Sequence, residues 1–268
     1  MIKLRFEEPT ATPWLNWRQK VKDELAALQA TGRPYAVKDE LYKEQRETIF
    51  ACYLNKCAYC EGHYKLTANE GDVEHYRPKG RVRDRSNAIV KVVVAGESQN
   101  HPGYWWLAYE PINLLPSCAF CNRTGKRDLF PLEPGCTYAL VPGEEANERP
   151  LLVHPGLDDP DDHLLFDSHH GVLAPKTERG RFTIETFQLN REDLMRERRR
   201  TYRNVVAAIK AALALEASEF IDLPDVLADL KAYKSGKAAY SLAGRKAIHD
   251  CRGPLKSLIE RVTAIMQD

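Results

Sequence analysis

Cys57-Ala-Tyr-Cys60 and Cys118-Ala-Phe-Cys121-Asn122, with Asp72-Val73-Glu74-His75 between them, decide how this chain folds. Each Cys-x-x-Cys pair carries an aromatic residue before its second cysteine. Together the two pairs supply the four thiolates that a tetrahedral structural zinc takes. Paired knuckles usually lie about 15–20 residues apart, and the insertion here, residues 61–117, is far longer. One such pair alone is readily explained as two buried thiols. Two pairs of the same form make coincidence a poor account, so Cys57, Cys60, Cys118 and Cys121 are expected to hold Zn²⁺. A four-thiolate zinc contributes roughly 10–16 kcal/mol of apparent binding free energy to a small local fold.

The residues inside that frame add a second chemistry. An imidazole next to an acid can take a proton from water. A carboxylate and an amide oxygen suit a hard cation. His75 is therefore a candidate general base, and Glu74 and Asn122 are candidate ligands for Mg²⁺ or Mn²⁺. Arg123 and Lys126 follow Asn122 near the start of an expected helix, where phosphate binds well. The competing account of these two cations is a solvated helix face.

The whole chain sets the bounds. Its 268 residues, 43% hydrophobic and 29% charged, suffice for a real core. No apolar run approaches the roughly 18 residues of a membrane span, and the N-terminus lacks a signal-peptide pattern. A cytoplasmic protein is expected, and there seven cysteines argue for metal and free thiols over disulfides. Net charge is only +1, so the chain is no polycation. Its cations are nonetheless clustered: Arg77, Lys79, Arg81, Arg83, Arg85 and Lys91 face one acid, Asp84, in residues 76–91, and Arg191, Arg196, Arg198, Arg199, Arg200 and Arg203 form a second group. Either group can be a phosphate-binding face or merely solvated. No G-x-x-x-x-G-K-[ST] phosphate loop is present.

Periodicity predicts a short strand at 2–6 and a helix carrying Trp14, Trp17, Val21, Leu25 and Leu28, stopped by Gly32. A second helix is expected over 40–54, strands at 72–76 and 89–94, a loop over 96–100, and a short helix at 104–109. Another helix should begin near Phe120. Residues 133–162 read as loop, 163–166 and 181–188 as the strands of a hairpin. Beyond Asn190 the chain reads as helical, with apolar stripes at Tyr202, Val205, Val206, Ile209 and Leu213, and at Leu255, Leu258, Ile259, Val262 and Ile265.

Glu74-His75, Asn113 and Cys118-x-x-Cys121-Asn122-x-x-x-Lys126 together resemble an HNH endonuclease of the ββα-metal (His-Me finger) fold. The resemblance implies that His75 is the general base, that Asn113 pins the loop between two strands, and that Glu74 and Asn122 bind the divalent metal. The four cysteines match the subset of that family with a structural zinc. Glu74 stands where many members have Asp, and Asn122 where the family name implies His. Further segments in order are Trp106-Leu107-Ala108-Tyr109-Glu110, Phe130-Pro131-Leu132, Asp158-Asp159-Pro160, Thr183-Ile184-Glu185 and Leu189-Asn190-Arg191. They are similar to the HNH proteins of bacterial anti-phage systems of the Septu and retron-associated types. That similarity spans about residues 40–200 and implies an ABC-type ATPase partner.

The expected architecture is α+β: an N-terminal helical region at 1–54, a zinc-stabilised HNH core with a basic insertion at 55–132, a loop and β-hairpin at 133–190, and a helical region at 191–268. The expected function is metal-dependent hydrolysis of nucleic acid, DNA ahead of RNA, with Arg77, Lys79, Arg81, Arg83, Arg85, Arg123 and Lys126 engaging the backbone. As the base must be neutral to work, activity is expected to rise with pH through roughly the unperturbed His range near 6.5, shifted by the neighbouring metal. The alternative is a non-catalytic zinc-knuckle module that binds nucleic acid or a partner protein. A third option is a nuclease held latent until the ATPase releases it. A second metal site from His154, His163, His169 and His170 with Asp158–Asp162, or His63 replacing a thiolate, is a weaker alternative.

Overall fold

The computed structural model describes residues 1–4, 6–31, 36–64, 71–214 and 223–265. It is a mixed α+β structure in which every sheet among these residues is a two-stranded antiparallel pair. Helix α1 (Thr12–Thr31) buries Trp14, Trp17, Val21 and Leu28 along one stripe, the expected 3.6-residue pattern. Gly32, its expected stop, lies outside the described residues.

The strand expected at 2–6 does not form among the described residues there. Ile2 and Leu4 are buried by packing instead of strand pairing, and the Leu4 N–H donates to the Pro155 carbonyl at 2.8 Å. The helix expected over 40–54 breaks into α2 (Asp39–Lys43) and α3 (Arg46–Cys52). Leu54 and Asn55, at φ 61° and 55°, then turn the chain into the first knuckle.

Strand β1 (Gly71–His75) is the expected strand. The insertion carries β2 (Lys91–Val94) and β3 (Glu97–Asn100), joined by Ala95 and Gly96, both at positive φ. The predicted loop at 96–100 is thus the second arm of a tight hairpin, because two consecutive left-handed residues match the twist of such a turn. Trp105–Leu107 makes a single 3₁₀ turn, and β4 (Leu114–Cys118) returns antiparallel to β1, running from Gly71↔Cys118 to His75↔Leu114. A π-helical turn, Phe120–Lys126, follows at once.

Residues 133–159 are mostly irregular, as their Pro, Gly and acid content implies. Short α4 (Pro160–His163) is capped by Asp159 and leads into β5 (Leu164–Asp167), which pairs with β6 (Val172–Pro175). His169 and His170 sit in the intervening turn. The expected strand over 181–188 is instead part of helix α5 (Glu178–Thr186). Thr177 caps that helix, Arg181 and Glu185 pair one turn apart at 3.1 Å, and Gly180, Thr183 and Ile184 face inward. That burial has helical period, although the local alternation of polar and apolar residues mimics a strand.

Helices α6 (Glu192–Ala214), α7 (Leu223–Ser235), α8 (Ser241–Asp250) and α9 (Arg252–Ile265) complete the chain. Val205, Ile209, Ala212, Leu230, Ala247 and Leu255 form a small core there, with Tyr202, Val206 and Leu213 against it. The side chains of Leu258, Ile259, Val262 and Ile265 lie outside the described residues. The main core runs from Met1 to Ala243 and contains all four knuckle cysteines. No helix among the described residues is long and apolar enough to cross a membrane.

Candidate functional site

The β1–β4 hairpin puts the two knuckles together. Cys118 ends β4, Cys121 lies one turn on, and the first knuckle docks on the same hairpin through the Ala58 N–H, which donates to the Pro116 carbonyl at 2.9 Å. The sulfurs of Cys57, Cys60, Cys118 and Cys121 all lie within 4.8 Å of one another, and all four residues are buried. This donor set fits one tetrahedral zinc. The Cys121 N–H donates to Cys118 Sγ at 3.4 Å. Hydrogen bonds from Cys118, Cys121 and Cys57 hold the Cys60 thiol well below its ordinary pKa. Arg191 lies against the cluster, and although burial opposes it, the Cys121 and Cys60 sulfurs keep its pKa raised. Sequence alone placed Arg191 in a basic group that could be either phosphate-binding or merely solvated. Arg198 of the same group is buried, donating to the Leu189 carbonyl at 2.5 Å. Arg196, Arg200 and Arg203 remain exposed on α6.

Residues of β1 form one wall of an open cleft of about 530 Å³. Glu74, His75, Asn122 and Arg123 line it, as do Lys79, Arg81 and Arg83. The knuckle fixes Asn122 by chain connectivity, one residue after Cys121. Asn122 is half-buried at the cleft, and Glu74 and His75 are nearly fully buried in its wall.

The His75 ring is held from two sides. Its Nε2 lies 2.9 Å from the Ala108 carbonyl. A carbonyl only accepts, so Nε2 carries the proton and Nδ1 keeps its lone pair. The edge of one ring meets the face of the other between Tyr42 and His75, with centroids 4.7 Å apart. Burial, then the nearby Lys79 charge, lowers the His75 pKa to about 3. The imidazole is therefore neutral across the physiological range, and the expected titration near 6.5 is displaced.

Asn113 is buried and ties the loop after β1 to the start of β4. Its Oδ1 accepts from the Arg77 N–H at 2.7 Å, and its Nδ2 donates to the Arg77 and Leu107 carbonyls, both at 3.0 Å. Gly103, at φ 82°, lets the returning chain touch that loop; a Cβ there would lie 1.8 Å from the Gly80 carbonyl oxygen.

Lys126 is not at the surface. Its side chain has 0% exposure, and its ammonium donates to Glu74 Oε1 at 2.8 Å and to the His75 carbonyl at 2.7 Å. Burial still lifts the Glu74 carboxyl above its ordinary pKa. Arg77 also turns inward, donating to Glu148 at 3.0 Å beneath the Phe130 ring. Arg81 and Arg83 pair with Asp128, and Lys79 with Asp39 at 3.4 Å. Arg85 lies 3.8 Å from Glu178 and over the Phe182 ring, away from the cleft lining.

Several cleft residues escaped the sequence reasoning: Asp39, Tyr42, Lys43, Asp72 and Arg127. The two-residue period of a strand could have found Asp72, which shares a face with Glu74. The α2 residues carried no signal, because only the tertiary fold brings them there. Three other histidines are committed elsewhere. His154 spans the Ile112 carbonyl and two backbone N–H groups, His163 bonds Thr177, and His63 lies between the Asn55 and Lys237 carbonyls. Among the described residues, the four cysteines are the group of three or more His, Cys, Asp or Glu side chains close enough to share an ion.

The chain is similar to the Septu protein PtuB of Bacillus mycoides (strain KBAB4), 35% identical over 214 residues that cover 76% of this chain and 68% of that protein. It is also similar to the Septu protein PtuA of the same strain, 29% identical over 185 residues, covering 68% of this chain but only 23% of that protein. No family model matches the chain. No solved structure matches it.

Proposed function

The chain belongs to the Septu PtuB family, and from that premise we propose that it is an HNH endonuclease, a divalent-metal-dependent hydrolase of nucleic-acid phosphodiester bonds acting in anti-phage defence. The observation that carries this reading is the convergence of Glu74, His75 and Asn122 on one cleft, with Asn113 bracing the loop beside them. The order β1, β4 and the turn Phe120–Lys126 supports a ββα-metal core.

In this reading His75 Nδ1 takes the proton from the attacking water. The Nε2–H bond to Ala108 fixes the tautomer that leaves Nδ1 open. Glu74 and Asn122 would hold Mg²⁺ or Mn²⁺, which supplies Lewis-acid stabilisation of the charge that develops on phosphorus oxygens. Lys126 occupies Glu74 Oε1, so Oε2 is the oxygen left for a cation. Zn²⁺ in the four thiolates would keep Cys121, and with it Asn122, in place. The cations on the cleft rim hold the substrate backbone without reading sequence.

The resemblance to Septu-type systems implies an ABC-type ATPase partner, and DNA is the first substrate to test. Purified protein, alone and with that partner, should cleave DNA only when Mg²⁺ or Mn²⁺ is added. His75→Ala protein should fold, keep its zinc and fail to cleave. Binding without any metal-dependent cleavage, in the presence of the partner, would favour a zinc-knuckle binding module.

A further inference from the structure

The π-helical turn ends at Lys126, and the next residue, Arg127, adopts φ 50° and ψ −120°. This lies outside the left-handed region that residues with a Cβ tolerate, and glycine alone takes it without strain. The surrounding structure imposes it. The Arg127 N–H donates to the Asn122 carbonyl at 2.9 Å, and the buried Lys126 ammonium reaches the Arg127 carbonyl at 3.4 Å. Glycine is used nearby where packing demands it: a Cβ at Gly125 would lie 2.8 Å from the Thr186 carbonyl oxygen. At position 127 the backbone asks for glycine and the chain supplies arginine.

The side chain explains the choice. Arg127 is exposed and lines the same cleft as Glu74, His75 and Asn122. Five of the cations in and behind that wall have carboxylate partners. Lys79 and Lys43 share Asp39, Arg81 and Arg83 share Asp128, and Lys126 takes Glu74. Arg127 has no carboxylate within ion-pair distance among the described residues. Its one side-chain hydrogen bond there runs from Nε to the Arg123 carbonyl at 3.0 Å. That bond aims the guanidinium and leaves both terminal amino groups open. A planar fork of this kind matches a phosphate in two-pronged fashion.

We propose that Arg127 is a substrate-binding residue that grips a backbone phosphate of the nucleic acid in the cleft, and that the strained backbone at 127 serves to present it. The inference rests on the nuclease reading of the cleft, yet it makes a claim about binding that does not need the chemistry.

The test uses the full chain and a short fluorescein-labelled DNA duplex, with its single strand in parallel, titrated by anisotropy over a range of KCl without added divalent metal. Arg127→Gly should weaken binding about tenfold, the worth of a lost charge-assisted contact. It should also reduce the slope of log affinity against log salt by about 0.9. Its melting temperature should equal or exceed that of the wild type, because glycine relieves the strain. Arg127→Lys should keep the salt slope. Wild-type affinity and slope in Arg127→Gly would overturn the proposal, as would a lowered melting temperature, which would make the arginine structural. Wild-type cleavage with Mg²⁺ is measured alongside. A wild type that binds, loses binding on Arg127→Gly and never cleaves, even with the proposed ATPase partner present, would leave the phosphate contact standing and sink the nuclease reading. A wild type that binds neither strand form would overturn both.

Discussion

Lys126 Nζ lies 2.8 Å from Glu74 Oε1, and both side chains are almost wholly removed from solvent. An internal ammonium thus sits on one oxygen of the carboxylate assigned to the divalent metal and ties β1 to the end of the turn that carries Asn122. Removing one partner of a buried pair strands the other charge, at a cost of about 3–5 kcal/mol. Lys126→Met should therefore lower the urea midpoint strongly. The double variant Lys126→Met/Glu74→Gln should recover part of the loss, because no unpaired charge remains. An unchanged midpoint in the single variant would show that the pair contributes nothing to the fold.

Zinc should be found at about one ion per chain. Cys57→Ser or Cys118→Ser should reduce metal content, solubility and melting temperature together, since binding energy in a thiolate site is folding energy. The expected loss is several kcal/mol, given four buried sulfurs within 4.8 Å. A wild type with no metal by elemental analysis and a full cooperative melt would refute the zinc assignment.

Asn122→Ala should separate the two metals. Asn122 follows a thiolate ligand in sequence but its side chain faces the cleft wall shared with Glu74. Zinc content and melting temperature should match the wild type, whereas Mg²⁺-dependent cleavage should be lost. A wild-type rate at limiting Mg²⁺ would remove Asn122 from the ligand set.

How far the sequence reached depended on which signal was local. The β1 strand, the position of the turn after Cys118 and the clustering of four cysteines were legible, because spacing and chain adjacency dictate them. The strand over 181–188 was misread because alternation and helical period coincide over so short a run. The split of the helix over 40–54 put Tyr42 against His75, a contact with no trace in the spacing. Basic residues were visible as a cluster, but composition does not say which of them already have partners. Lys126 is buried and Arg77 half-buried, each paired with a carboxylate, and Arg191 faces the thiols. Arg127, exposed in the cleft, lay unmarked beside them.

His75 offers the most direct test of the mechanism. General-base catalysis is typically worth about 10²–10⁴-fold, so His75→Ala should cut the single-turnover rate by that order while zinc content is unchanged. Burial holds the folded-state pKa at about 3, below the ordinary 6.5. Two consequences follow for pH. The base is already neutral above the folded value, so the single-turnover rate at saturating Mg²⁺ should show no inflection near 6.5. Any acid limb should appear instead in the Mg²⁺ requirement, because Glu74, whose pKa burial raises, must lose its proton to bind a cation. For stability, the unfolded chain binds the His75 proton in the window between the two pKa values and the folded chain does not. Stability from this residue is therefore fully present above pH 6.5 and is lost as pH falls towards about 3. His75→Ala removes that dependence, so its stability should fall less steeply with acid than that of the wild type. A rate within about threefold of wild type, per zinc-loaded folded molecule and with the partner present, lies far below the general-base range and would leave the zinc-knuckle module as the better account of the chain.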